Sequence, residues 1–321
     1  MSQVNTQQMG RFIAAGSKDK LGGAIEALAH LNALHILDYD GTEDGFSLGT
    51  PDPSSEEVGR SLVKARSAAS IIEFSGPERA VPSAPVRDSL SNELPGKIDD
   101  LLQAQSRIDE LDNEISSTEE EEASLEMVAS LGLDIELLSG YDSLSSFVGT
   151  VTEPVQSSSL GESSMVFNSK NGKQNMVAVF VRNDKSQDAN NVLESVGFES
   201  IPLPNGKGSP ADRLSQVKGR KHDLSSEREE LAKAIEEWID ANGEDLACGL
   251  EVLERDHDVL TAPTRVAVSD HAFVIDGWIE MRRSDEVTKA LEPFCLYTES
   301  DQFELIAGGG GHGHSDHHHH Q

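Results

Sequence analysis

Histidine, cysteine and glycine are the residues through which this chain could do chemistry. It has eleven histidines, but His30, His35, His257 and His271 stand singly, each without a second ligand at metal spacing. A cluster occurs only in the tail GGGGHGHSDHHHHQ, with His312, His314 and His317 to His320. Imidazoles on a glycine linker chelate divalent ions with little geometric selection, so residues 308–321 are expected to be a disordered Gly/His tail rather than a metal centre. Gly206-Lys207 lacks the upstream glycine of a phosphate loop and is followed by Gly208 where Ser or Thr is needed. Gly308, Gly310 and Gly313 spell a dinucleotide fingerprint but open no helix. Cys248 and Cys295 sit in ordinary helix and strand patterns and read as buried, reduced thiols. No Ser/His/Asp set stands out. The expectation is a chain without catalytic, cofactor-binding or metal residues, not an enzyme.

Charge narrows the class further. There are 57 acidic against 26 basic residues, a formal net charge of −31 spread along the chain. Such self-repulsion is tolerable in molar salt, where the Debye length is about 3 Å, and a halophile's cytoplasm fits it. Nucleic-acid binding does not, because it needs Lys/Arg stripes. No run of about 18 apolar residues occurs, and MSQVNTQQMGRF is not a signal peptide, so the chain as given is expected to be soluble and intracellular.

Stepping by three and four residues, two distant segments make helical seams. The first runs through Leu94, Ile98, Leu101, Gln105 and Ile108, then Leu111, Ile115, Thr118, Glu122 and Leu125. Its extra three-residue step from Ile108 to Leu111 should overwind it locally. The second runs through Leu214, Val217, Lys221, Leu224, Arg228, Leu231, Ile235 and Trp238. Neither narrow stripe is stable in water alone, so the two are expected to bury each other as an antiparallel coiled-coil hairpin. Lys221 and Arg228 would set its register by pairing with acids such as Glu110 or Glu114.

The remaining elements fall around this pair. Gly10 to Ala15, Ser17 to Leu31 and Leu34 to Tyr39 read as strand, helix and strand, and Ser55 opens a helix that reaches Ile72. Between the seams, residues 145 to 204 read β, α, β, β, α, β, with Asn171-Gly172 as a hairpin turn. Asn242-Gly243 is the expected end of the return helix, followed by a further helix from Leu246 to Leu260. His271 to Met281, Ser284 to Leu291 and Phe294 to Thr298 read as strand, helix and strand, which the N-terminal unit would complete. Gly277 directly before Trp278 suggests a tight backbone beside a large ring. The expected class is α+β: an elongated dumbbell of two ferredoxin-like α/β lobes joined by a long antiparallel helical coiled-coil hairpin. Its proximal lobe comprises residues 1–90 with 262–307, its rod residues 91–131 and 209–261, and its distal lobe residues 132–208.

GSKDKLGGAIEALAHLNALHILDYDG (Gly16 to Gly41) and HAFVIDGWIEMRRSDEVTKAL (His271 to Leu291) resemble the opening strand-helix-strand and the F-x-x-x-GW signature of the cytoplasmic half of subunit I, or subunit a, of archaeal A-type and V-type ATP synthases. The order of rod helix, α/β lobe and return helix also resembles that family's layout, and the acidity suggests a haloarchaeal member. Glu280 stands where the family usually has proline after the GWI triplet. The resemblance implies a non-catalytic stator on the cytoplasmic face of the membrane, whose lobes hold peripheral stalk subunits. It would join the membrane rotor-stator sector through a C-terminal membrane half not contained in this chain. A free-standing coiled-coil adaptor or chaperone, and an allosteric sensor, are the other readings of the pattern.

Overall fold

In chain order the computed structural model describes residues 8–73 and 83–302. The Gly/His tail lies outside them. The elements are β1 (Met9–Ser17), α1 (Leu21–Leu31), β2 (Leu34–Ile36), β3 (Ser47–Leu48), α2 (Ser55–Ile72), α3 (Ser83–Ser91) and α4 (Leu94–Ala129). Then come β4 (Leu144–Val151), β5 (Met165–Asn171), β6 (Gln174–Arg182), α5 (Ser186–Ser195), β7 (Glu199–Ser200) and α6 (Pro210–Thr261). The described chain ends with β8 (Ala267–Val268), β9 (Ala272–Glu280), α7 (Ser284–Leu291) and β10 (Tyr297–Gln302). Two compact units divide it, Met1–Ile98 with Gly243–Gln321, and Asp99–Asn242.

The first unit is built from both ends of the sequence. Its antiparallel sheet runs β10-β1-β9-β8-β3, with β2 also paired to β9. Strand β1 lies between β10 and β9, so Phe12 faces Ser300 on one side and Gly277 on the other. Residues alternate inward and outward along β1 and β9. Phe12, Ala14, Phe273, Ile275 and Ile279 therefore meet the apolar faces of α1 (Ala24, Ile25, Leu28) and α7 (Val287, Leu291) in one core. Phe12 and Phe273 are both fully buried there, as the pairing of the two termini requires.

In the second unit the sheet order is β5-β6-β4-β7, again antiparallel throughout. Central strand β6 is buried on both faces, which is why its sequence MVAVFV does not alternate. Met176, Ala178 and Phe180 pack on one side against Val128 and Leu131 beyond the seam of α4. Val177, Val179 and Val181 pack on the other against Ala189 and Leu193 of α5. The turn after Asn171 places Gly172 at φ +63°, in the left-handed region.

Several expected boundaries move. The return helix does not stop at Asn242-Gly243: α6 continues unbroken for 52 residues to Thr261. Gly243 takes no positive φ there. The apolar pattern resumes at once with Leu246 and Ala247, both buried, so packing overrides the cap signal. Helix α3 was not expected; it lies between the helix read as reaching Ile72 and the seam that begins at Leu94. Pro85 falls in its first turn, where a missing amide hydrogen is harmless. Strand β10 begins later than expected because the amides of Phe294 and Cys295 cap α7 at the Leu291 carbonyl. The crossover from β4 to β5 holds only a 3-10 turn, Ser157–Ser159.

Candidate functional site

Seam residues Leu101, Ile108, Leu111, Leu125, Val217, Leu224 and Ile235 are buried on α4 and α6, as are Leu94 and Ile98 at the start of α4. Ile115, Leu214, Leu231 and Trp238 are half-buried. Both Ile108 and Leu111 point inward, so the extra three-residue step leaves neither one in solvent. Leu125 packs with Val217 and Leu214, joining the end of one seam to the start of the other. That contact is what an antiparallel pair demands. Thr118, a polar residue on the seam, satisfies its buried hydroxyl by donating to the Glu114 carbonyl at 2.7 Å.

Outside the apolar strip runs a ladder of ion pairs between the two helices. From Arg107–Glu227 (2.9 Å) it passes through Arg228–Asp112 and Lys221–Glu122 (3.2 Å) to Arg213–Glu121 (2.7 Å) and Lys218–Glu126 (3.8 Å). Arg107 and Asp112, early in α4, meet residues 227 and 228 of α6, whereas Glu121, Glu122 and Glu126, late in α4, meet residues 213 to 221, as an antiparallel pair requires. Except for Arg107–Glu227, α4 supplies the acid and α6 the base, so these pairs draw the two helices together, and the one pair of opposite polarity, Arg107–Glu227, marks the register. Lys221 also reaches Glu119 at 3.7 Å.

Lys221 and Arg228 thus do pair across the helices, but not with Glu110 or Glu114. Those two carboxylates lie one and two turns beyond Arg107 on their own helix and face its guanidinium, at 3.1 and 3.7 Å. Sequence reasoning missed Arg107, Asp112 and Glu121 because they flank the seam. The available signal was the concentration of bases between Arg213 and Arg228 opposite the acids from Asp112 to Glu126.

Electrostatics follow the contacts. Hydrogen bonding to Glu227 and Glu110 holds the Arg107 guanidinium protonated, and the same bond holds the Glu227 carboxyl below its ordinary range. Glu122 raises Lys221, and Asp112 raises Arg228. Each of these shifts favours the charged form of the group that is moved.

The expected tight backbone at Gly277 is present. A Cβ there would lie 2.4 Å from the His35 carbonyl oxygen of β2, so only glycine lets β2 pair at this point. Trp278 sits half-buried on the opposite face of the sheet, beside Arg11 and His35 in register. Gly249 does similar work on α6, where a Cβ would come within 2.9 Å of Leu94. Cys248 is buried and Cys295 half-buried, both free, and burial is the first cause raising each thiol. Among the described residues no group of three His, Cys, Asp or Glu could hold a metal ion, and no helix is long and apolar enough to cross a membrane.

Two antiparallel sheets with a pair of long, charge-registered helices define a mixed helix-and-sheet protein whose conspicuous sites are surfaces and a seam. The chain is homologous to A-type ATP synthase subunit I. It is 31% identical over 297 residues to that subunit from Halobacterium salinarum, covering 90% of this chain and 40% of the relative. With the Archaeoglobus fulgidus subunit it shares 31% identity over 290 residues, covering 88% of this chain and 42% of the relative. The chain therefore spans about two fifths of the length of these curated relatives. A crystal structure of the cytoplasmic N-terminal domain of subunit I, homolog of subunit a, of V-ATPase aligns over 92% of this chain and all of that one, with 18% identity and a TM-score of 0.44. No protein-family model matches. The chain's acidity is in keeping with the Halobacterium relative.

Proposed function

We propose that this chain is the cytoplasmic, non-catalytic stator part of a rotary A/V-type ATP synthase, holding peripheral stalk subunits against rotor torque during proton transport-coupled ATP synthesis. The whole subunit would link those stalks to the membrane sector through a membrane half. The observation that carries this reading is the α4–α6 pair. A buried apolar strip flanked by cross-helix ion pairs resists sliding and bending, which is what a torque-bearing element needs. Both sheets lend support as attachment modules. We read each as ferredoxin-like, since its four main strands follow the spatial order 4-1-3-2. Function lives in the grafted surfaces rather than in that fold.

The test is co-elution of the full chain with purified peripheral stalk heterodimer in molar KCl. A stator part forms a saturable complex with it. Failure to co-elute at any salt concentration that keeps the chain folded would reject the reading.

One observation favours a free-standing adaptor instead. Leu137, Tyr141 and Met165 are exposed; Tyr141 donates its hydroxyl to the Leu137 carbonyl at 2.9 Å and stacks edge-on with Phe180 at 5.9 Å, and Phe180 pairs with Met165 across β5 and β6. An adaptor would capture unfolded clients through this patch, measurable as suppression of their aggregation without any stalk subunit present.

A further inference from the structure

Within the first unit, α1, β2, α3 and the C-terminal part of α6 wall a groove of about 990 Å³. Its floor is apolar, from Leu28, Ala29, Leu34 and Val259. Its polar lining includes Arg87, Arg255 and Arg265, which would suit a small anion if their heads were available. They are engaged: Arg87 with Asp256, Arg255 with Glu251 at 3.1 Å, and Arg265 with Asp38 at 2.6 Å. A sensor site for an anionic metabolite is therefore poorly served here.

What is left over is negative. Glu26 on α1 and Asp258 on α6 line the groove, are exposed, and make no ion pair among the described residues. The two helices also present helical rows to the same space. Glu26, Ala29 and His30 are spaced i, i+3, i+4 on α1, and Glu251, Glu254, Arg255 and Asp258 are spaced i, i+3, i+4, i+7 on α6. Ridges of that spacing form the grooves into which another helix packs, and Ala29 leaves room for close approach.

We propose that this groove docks an amphipathic helix of a partner protein, its apolar stripe on Ala29 and Val259 and its flanking Lys or Arg residues against Glu26 and Asp258. The inference rests on the stator reading in that the helix would belong to a stalk subunit. In molar salt the Debye length is about 3 Å, so only charges in direct contact count, and the apolar floor carries the affinity. The rim then sets which helices are accepted.

The probe is a synthetic helical peptide of about 18 residues with leucines at i, i+3, i+4, i+7 and lysine flanks, alongside a twin with glutamate flanks. Both are titrated against the full chain by fluorescence anisotropy in folding-competent KCl. The lysine peptide should bind at least tenfold tighter than its twin. E26K/D258K, which alters only exposed side chains, should reverse that preference, and Ala29→Trp should weaken both peptides. Equal binding of the twins, or an unchanged preference in E26K/D258K, overturns the proposal. Stalk heterodimer is titrated in parallel. If it binds wild type and E26K/D258K equally, the groove is not its dock, although the stator reading survives. Should it bind neither, the stator reading fails, and the peptide arm still decides the groove.

Discussion

Arg107 on α4 and Glu227 on α6, 120 positions apart in sequence, make a two-pronged ion pair, with Nε donating to Oε1 at 2.9 Å and Nη2 to Oε2 at 3.2 Å. The planar fork matches the carboxylate, so the contact fixes both the distance and the rotation of the helices. It also predicts an acid dependence. The Glu227 carboxyl is held below its ordinary value of 4.5, so the folded chain binds this proton less readily than the unfolded one. The pair's contribution is fully present above that ordinary value and is lost as pH falls through the lowered one. Glu227→Gln should flatten the acid limb of a Tm-against-pH curve below 4.5 and leave its slope above unchanged.

Register should respond to charge order rather than to charge number. Reversing Arg228 to Asp leaves Asp112 facing an acid, and D112R/R228D restores the attraction with its sign exchanged. The single variant is expected to lower Tm by about 1–3 °C and the exchange to recover most of it, as befits solvent-exposed pairs. Thermal melts at low and molar KCl check this, with the difference shrinking as salt rises.

Apolar positions along the seam should rank by burial. Leu111→Ala opens a cavity at a fully buried site and should cost about 2–5 kcal/mol. Ile115→Ala, at a half-buried site one turn on, should cost clearly less. Urea unfolding with a common m-value compares them directly.

Gly277→Ala should damage the first unit without touching the second. The added methyl meets the His35 carbonyl 2.4 Å away, which forces β2 off β9 at a cost of about 1–3 kcal/mol. Hydrogen exchange should show faster opening of Leu34–Ile36, with the amides of β4 to β6 unchanged.

Much of this architecture was legible because the relevant signals are periodic. The three-four stepping from Leu94 and from Leu214 survives into the structure, as does the joining of the N-terminal strand to the strand from His271 to Met281. What misled was local punctuation. Asn242-Gly243 looks like a helix end, yet burial of Leu246 and Ala247 carries α6 straight through. Pro85 looks like a breaker and lies in a first turn. Ion-pair partners were not legible residue by residue, because a seam with an extra three-residue step fixes orientation in sequence but not offset. Only the folded pair shows Lys221 opposite Glu119 and Glu122. The groove between α1 and α6 had no sequence signal at all, since its walls lie more than 200 positions apart.

The central claim is that α4 and α6 form a static brace, and an inert covalent staple tests it most directly. Cysteines replacing Asp112 and Arg228, joined by a short bismaleimide in the assembled, membrane-bound enzyme, would lock the helices at a contact the structure already makes. A static brace predicts ATP synthesis driven by a proton gradient at the same rate before and after cross-linking. Loss of synthesis in proportion to the fraction cross-linked would mean that the helices move past each other in turnover, and would contradict the account.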